Sequence, residues 1–472
     1  LSELAQRDLG SAIELLKTVD LDALEQLQSY SDFIEKLRAS VEECLSEDGR
    51  VYLVGCGATG RLSLLNEFLF REKFGTDQVI SLMAGGDVAL VHSLEGFEDY
   101  PEFGEMHLKQ LGFSENDLLI ATTEGGETPY VIGATEAAAQ ISKRKPYFLY
   151  CNPTEILCDM VQRSKDFIDP TDIEKICLFV GPMSLSGSTR MQASTVLQLA
   201  VGFALVERDK SVSELISEMI GELGSCDFAQ LKALIEKEAD VYKNGNFVMY
   251  VPSEMAITVF TDTTERSPTF SLPSFENSHY RGLSPSLCYI QIPGATSKSE
   301  AWQMLLKHKP RPLNWSDVDR QTTSEYLNDF DFSKNSFNDR ALRIGENQQY
   351  LFEIGVKDSE LILSLDDVKL MVSFKTERSL IRHTLLKLLL NIHSTLVMAL
   401  MDRYKSNIMT WVTATNGKLI DRASRYVDLL LKEKGIEKDY LEIVNMVFDM
   451  KDQVSKGECV VLNVLSYFEE QS

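Results

Sequence analysis

Residues 51–68 read VYLVGCGATGRLSLLNEF, and their texture decides the fold. Val51 to Val54 are apolar and end in Gly55. A turn rich in small residues follows through Gly57, Thr59 and Gly60, and from Arg61 the apolar residues recur at helical spacing. Strand, tight turn, helix is the opening of a βαβ unit. Working outward, VISLMAG (79–85), DLLIATT (117–123), PYFLYCN (146–152) and ICLFVG (176–181) predict four more short buried strands. Helical patterns lie between them, at 60–73, 129–142 and 188–206. Strands alternating with helices of this length predict an α/β fold with a parallel sheet covered on both faces.

Before this block, residues 1–46 carry apolar sets spaced by three and four, such as Leu9, Ile13 and Leu16, and predict helix. After it, 208–240 reads as an acidic helical connector. A second alternating block follows: NFVMYV (246–251), LCYIQIP (287–293), YLFEIGV (350–356) and KLMVSF (369–374), leading into a helix at 376–401. The ends of the two blocks echo each other as strand, short polar loop and long apolar helix, which suggests duplication of one α/β unit. The remainder reads as mostly helical. The expected spans are 1–46 helical, 47–207 first α/β domain, 208–240 connector, 241–401 second α/β domain, and 402–472 helical.

Composition narrows the function. The 472 residues include 47 basic and 71 acidic side chains, a formal charge of −24, and 44% are hydrophobic. That is globular composition, and its sign opposes binding to nucleic acid or anionic lipid. No run approaches the roughly 18 apolar residues of a membrane span. The first residues read as an amphipathic helix rather than a signal peptide, so the chain is expected to be cytoplasmic, or to have lost its leader. Eight cysteines without a CxxC pair predict reduced thiols. Six scattered histidines predict no metal site, and no cofactor is expected.

Three loops are candidates for holding a ligand. Gly55-Cys56-Gly57-Ala58-Thr59-Gly60 offers close backbone approach and helix N-terminal amides for an anion. Thr122 to Pro129 and Ser184 to Arg190 bring more hydroxyls and glycines where parallel strands end. A dinucleotide site competes for the first loop, although the second strand ends in Met83-Ala84-Gly85-Gly86 with Asp87 only beyond. So does a tight turn with no ligand. Each hydroxyl taken singly reads as a helix cap. Together the loops suggest a phosphate pocket.

GCGATGRL, LEGFEDYP, EGGETPYVIGATE, CNPTE and SGSTRMQASTVLQL, in this order, resemble the sugar isomerase (SIS) domain of N-acetylmuramic acid 6-phosphate etherase. The glucokinase regulatory protein shares the pattern. Residues 385–427 resemble the end of the same family pattern. Here a second α/β block intervenes, as in the regulatory protein, and 260–276 (FTDTTERSPTFSLPSFE) is also similar to it. The resemblance implies two SIS-type three-layer αβα domains with parallel sheets, plus helical N- and C-terminal segments.

It also implies roles for residues. Thr59 would bind phosphate, with Gly57 allowing approach, and Thr128, Ser186 and Ser188 would line the other loops. Glu95 and Glu98 would face the sugar, and Lys418 would reach the ligand from the C-terminal segment. A solvated acidic loop is the alternative for both glutamates. In the etherases a base takes a proton from C2 of the open-chain sugar phosphate, lactate leaves from C3 and water adds, which calls for two acid/base groups. Glu98 matches the base. The second glutamate's place is taken by Leu69, and Glu67, about 200° away round a helix, should face elsewhere. The etherases carry Ser-Gly-Arg-Thr-Pro-Tyr where this chain has Gly125-Gly126-Glu127-Thr128-Pro129-Tyr130, so backbone amides, Arg61, Arg190 or Lys418 would have to balance a phosphate. The second block has Pro252-Ser253-Glu254-Met255 in place of a glycine loop and is expected to be structural. Thr263, Thr264, Glu265 and Arg266 could line a second crevice, but a polar loop is the stronger expectation. His92 is expected to pack.

Three functions remain. The first is a sugar-phosphate-binding regulator or sensor, with a protein partner such as a sugar kinase. The second is an etherase-type carbon–oxygen lyase using Glu98, and the third a phosphosugar isomerase. A homo-oligomer is compatible with any of them.

Overall fold

The stretch Val51–Gly55 is strand β1, fully buried, and Ala58–Phe74 is the helix after it. The computed structural model describes every residue except 95, 169–171, 278–283, 413, 415–416, 454–457 and 472, and the side chains of 417 and 418. The first sheet continues with β2 (Val79–Met83), β3 (Leu118–Thr122), β4 (Tyr147–Tyr150) and β5 (Glu174–Cys177). Its order is β2-β1-β3-β4-β5 and all pairs are parallel, Val51 lying opposite both Val79 and Leu118. Near-continuous Val, Leu and Ile in β1 and β3 is what burial on both faces requires. The chain leaves β1 toward one side for β2 and reaches β3 on the other. The switch point therefore lies between β1 and β3, where open α/β sheets hold ligands.

The fifth strand falls earlier than its apolar run predicts. It pairs Tyr147 with Glu174 through Tyr150 with Cys177, at the half-buried sheet edge, and Leu178 onward turns toward the next loop. Helices Pro101–Gln110 and Pro129–Ile141 touch backbone to backbone: a Cβ on Gly104 would lie 2.0 Å from the Tyr130 carbonyl oxygen, and one on Gly133 2.1 Å from that of Pro101. That contact seats the segment after Glu98 on the helix that follows the second loop.

The second sheet is built from β6 (Phe247–Pro252), β7 (Cys288–Ile290), β8 (Gln349–Lys357), β9 (Glu360–Leu365) and β10 (Val368–Ser373), in the order β10-β9-β8-β6-β7. It is parallel across β7, β6 and β8. Beyond β8 it gains an antiparallel edge that the expectation of parallel sheets lacked. ELILSL explains this: Leu361, Leu363 and Leu365 are buried while Glu360, Ile362 and Ser364 are half-buried, the alternation of a sheet with one open face. Asp358 and Ser359, both at positive φ, make the two-residue hairpin turn.

Residues expected in a polar loop are helical. Thr263, Thr264, Glu265 and Arg266 sit in Ala256–Phe270, and all but Glu265 are buried. The 22-residue helix Ser379–Leu400 is apolar and long enough to cross a membrane, yet 89% of its apolar window is buried inside the protein. It packs between helices of both units, in a hydrophobic core continuous through both. Helices Gly417–Glu433, Tyr440–Met450 and Val460–Glu469 form a smaller separate cluster. None of the eight cysteines is in a disulfide.

Candidate functional site

The glycine loop folds on itself. Gly57 takes φ 54° and ψ −118°, which side chains disfavour, and Gly60 lies where a Cβ would be 2.5 Å from that of Met83. Thr59 is 1% exposed. Its Oγ1 donates to the Cys56 carbonyl and accepts from the Cys56 amide, both at 2.9 Å. The expected phosphate donor thus has its one proton committed to the loop, and its task in this geometry is to staple the turn.

In the second loop, Thr128 Oγ1 lies 3.0 Å from Thr123 Oγ1, and the Gly126 amide donates to Thr123. Gly126, at φ 81°, leaves no room for a side chain beside Leu157. Asn152, beyond β4, donates to the Gly125 carbonyl at 3.2 Å, so the β3 and β4 ends act as one ledge.

The third loop is covered by the C-terminal segment. Ser186 and Ile408 form a parallel bridge, the Ser186 amide donating to Asn407 and the Met409 amide to Ser186. The Ser186 side chain is exposed. Tyr426 donates to the Ser186 carbonyl at 3.4 Å, and a Cβ on Gly187 would come within 2.0 Å of the Tyr426 oxygen. The helix Gly417–Glu433, which carries Lys418 in its first turn, is therefore seated on this loop, although the Lys418 side chain is outside the described residues. Ser188 differs from the other hydroxyls: it is 3% exposed and its Oγ has no hydrogen-bond partner among the described residues.

Glu98 arrives from a short turn, Phe97–Asp99, and accepts a hydrogen bond from the Cys56 thiol at 3.4 Å. This brings the expected carboxylate against the glycine loop. Glu95 falls outside the described residues. His92, mostly buried, meets Ser274 across the units at 3.0 Å, and burial lowers its pKa.

Neither expected arginine is uncommitted. Arg61 is buried, with its Nη2 3.0 Å from the Leu90 carbonyl oxygen and its Nε 3.5 Å from Thr264 Oγ1. Arg190 pairs with Asp262 of the second unit and bonds Ser394 at 2.7 Å. Its Nε and Nη1 have no partner among the described residues. Lys387 is similarly engaged, donating to the Arg190 carbonyl, Thr195 and Asn391.

Leu69 is 1% exposed and packed in the core. Glu67 does face elsewhere: it accepts from the Ser81 amide and hydroxyl at 2.7 and 2.6 Å, from Arg71 at 2.9 Å, and from Arg311 of the second unit at 2.7 Å. Burial alone would raise its pKa, but Arg311 and His308 outweigh it and hold the group at about 2 against an ordinary 4.5. A lowered carboxylate pKa stabilises the fold above the unfolded value and loses that contribution as pH falls toward the folded one. Between pH 4.5 and about 2 this group alone is expected to surrender ~3 kcal/mol. Urea unfolding at stepped acid pH checks this: Glu67→Gln flattens the pH dependence in that window and is less stable than wild type at pH 7.

Two contributors were not foreseen, Arg311 and Trp315. Their signal was faint: KHKPRPLNW (307–315) is a basic, proline-broken patch in an acidic chain.

A family model described as the glucokinase regulatory protein N-terminal SIS domain matches residues 32–139. The N-acetylmuramic acid 6-phosphate etherase of Klebsiella aerogenes is 30% identical over 224 residues, 46% of this chain and 71% of that one. The etherase of Rhodopirellula baltica is 33% identical over 202 residues, 42% of this chain and 63% of that one, so the chain spans somewhat under two thirds of that relative. Among solved structures, tagatose-6-phosphate ketose/aldose isomerase from Escherichia coli aligns with TM-score 0.45 and 10% identity, over 83% of this chain and 91% of that one. With its glycine loop, its ordered motifs and this level of identity to the etherases, the chain belongs to the SIS-domain family of N-acetylmuramic acid 6-phosphate etherase and glucokinase regulatory protein.

Proposed function

We propose that the first unit binds a phosphorylated sugar derivative beyond the carboxyl ends of β1, β3 and β5, and that the chain works as a ligand-reading protein of etherase ancestry. The observation that carries the binding is Ser188, a buried hydroxyl with no partner among the described residues, in the same loop as Arg190, whose buried Nε and Nη1 are likewise without one among the described residues. A desolvated unpaired donor costs about 1–3 kcal/mol, which a ligand oxygen would return. Helix N-terminal amides of the glycine loop supply the complementary field. Leu69 supports the non-catalytic half of the reading, since an apolar side chain cannot transfer a proton.

A second reading, an etherase-type lyase, is favoured by the names of the relatives and by Glu98 lying against the glycine loop. In the first reading the ligand state would be passed to a protein partner, such as a sugar kinase, and a homo-oligomer is part of the same proposal.

The test is a thermal-shift series with hexose 6-phosphates and N-acetylmuramic acid 6-phosphate. One of them at 100 times its Kd should stabilise the protein by about 2.7 kcal/mol. Ser188→Ala should weaken that ligand roughly 10- to 100-fold, the worth of a hydrogen bond to a charged group. Stabilisation that ignores this substitution would move the ligand elsewhere.

A further inference from the structure

Between helix Lys298–Leu306 and the turn Arg320–Thr322, the second unit sends an arm across the first. Its root is fixed twice. The Arg311 amide donates to Asp87 Oδ2 at 2.7 Å, and the Arg311 guanidinium reaches buried Glu67. Leu313 fills the space beside Gly86, where a Cβ would lie 2.9 Å from its Cγ. The tip is Trp315. Its amide donates to Thr322 Oγ1 at 3.0 Å and its Nε1 to Gln110 Oε1 at 2.9 Å. The indole lies nearly parallel to the Phe97 ring (19°, centroids 6.3 Å apart) and edge-on to Phe103 at 5.6 Å.

Phe97 is 3% exposed and opens the three-residue turn whose next residue is Glu98. The far side of that turn meets Cys56 of the glycine loop. A three-residue turn has no internal ladder to fix it, so what holds Phe97 holds the carboxylate beside it. We propose that Trp315 is a positioning residue: the arm of the second unit presses the Phe97–Asp99 turn onto the glycine loop and so sets where Glu98 stands. The inference rests on the sugar-phosphate reading only for what Glu98 then touches. Its placement by Trp315 is independent of any ligand. It also gives the second unit, which has no glycine loop of its own, a part in the first unit's site.

The experiment therefore has an arm without ligand. The alkylation rate of Cys56 by iodoacetamide is followed by peptide mass spectrometry, with half-buried Cys158 as the internal control of folding. A carboxylate beside a thiol opposes thiolate formation, so moving it away should speed alkylation about three- to tenfold. Trp315→Ala and Glu98→Gln should each produce this increase, the double variant no more than either, and Trp315→Phe should restore the wild-type rate. Cys158 should be unchanged throughout. An unchanged Cys56 rate in Trp315→Ala, or effects of the two substitutions that multiply, overturns the proposal. In the second arm Trp315→Ala should weaken N-acetylmuramic acid 6-phosphate about tenfold while leaving inorganic phosphate unaffected, as loss of one charged hydrogen bond to the sugar would. Equal weakening of both overturns the positioning role. If wild type binds neither, the sugar-phosphate reading falls, and the alkylation arm still decides the placement of Glu98.

Discussion

Arg266→Met should lower the stability of the whole chain by about 3–5 kcal/mol, the cost of leaving buried carboxylates without their cation. The guanidinium donates to Glu238 at 2.8 Å, to Asp262 at 2.8 and 3.0 Å, and to the Tyr250 hydroxyl at 2.9 Å. Glu238 in turn accepts from Tyr242, Tyr250 and His393, each at 2.6 Å, and Asp262 accepts from Asn391 at 3.1 Å and from Arg190. All these side chains are buried. Two carboxylates face two guanidinium groups, so the cluster is balanced only while both arginines are present. Burial would raise the Glu238 pKa, yet Arg266 and His393 bring it down to about 2.

Methionine keeps much of the volume and removes all of the charge. In a thermal melt the expected fall is about 3–5 °C for a chain of this size unfolding as one unit. Adding Glu238→Gln should recover part of the loss, because the remaining cation then faces one carboxylate. Full stability in Arg266→Met would mean that water or another cation reaches these carboxylates, against their burial. The cluster joins the third ligand loop, through Arg190, to β6, through Tyr250. Its loss should therefore also loosen the loop that carries Ser188.

These residues separate what the sequence discloses from what it conceals. Val51–Gly55 and its helix were legible because burial on both faces demands an apolar run, and a glycine turn demands small residues. Both demands act on neighbouring positions, so a local reading finds them. Thr263, Thr264, Glu265 and Arg266 read as a polar loop yet fold as helix, because Thr, Glu and Arg are surface residues by default. Asp262 and Arg266 stand four apart, the spacing of partners on one helix face, and that was the available clue. The partners that make burial tolerable, Glu238 and Arg190, lie far off in sequence.

The site divides in the same way. Glu98 is singled out by its motif, and the structure places its carboxylate against Cys56 of the glycine loop. Thr59 was assigned by position, but a hydroxyl in a tight turn can satisfy its own loop, and only coordinates reveal which bond it makes. Glu67 was expected to turn away from the site on helical geometry alone, and it does. What it turns toward, Arg311, depends on how the second unit folds over the first, which no local pattern encodes.

Lactate release from N-acetylmuramic acid 6-phosphate should be slower than in a two-carboxylate etherase by about 10²–10⁴-fold, the usual contribution of one acid/base group. Elimination needs a base for the C2 proton and an acid for the departing oxygen, and the family resemblance assigns these to two glutamates. Here Glu98 stands against the glycine loop, while the other position is Leu69, 1% exposed among core residues. Glu67 cannot substitute, because Ser81, Arg71 and Arg311 occupy both its oxygens and its pKa of about 2 keeps it ionised, so it has no proton to give. Glu98 remains as the one positioned base, so Glu98→Gln should lower any residual rate by about a further 10²–10⁴-fold and, by removing a carboxylate that can hydrogen-bond a sugar hydroxyl, reduce affinity for the sugar phosphate. A coupled assay for lactate, run beside the Klebsiella aerogenes etherase at equal enzyme concentration, decides between the readings. Turnover comparable to the etherase, lost 10²-fold or more in Glu98→Gln, would reverse the proposal and require an acid other than Leu69's position can supply. Slow or absent release with intact binding would mean that the fold has kept the etherase's recognition and given up its chemistry.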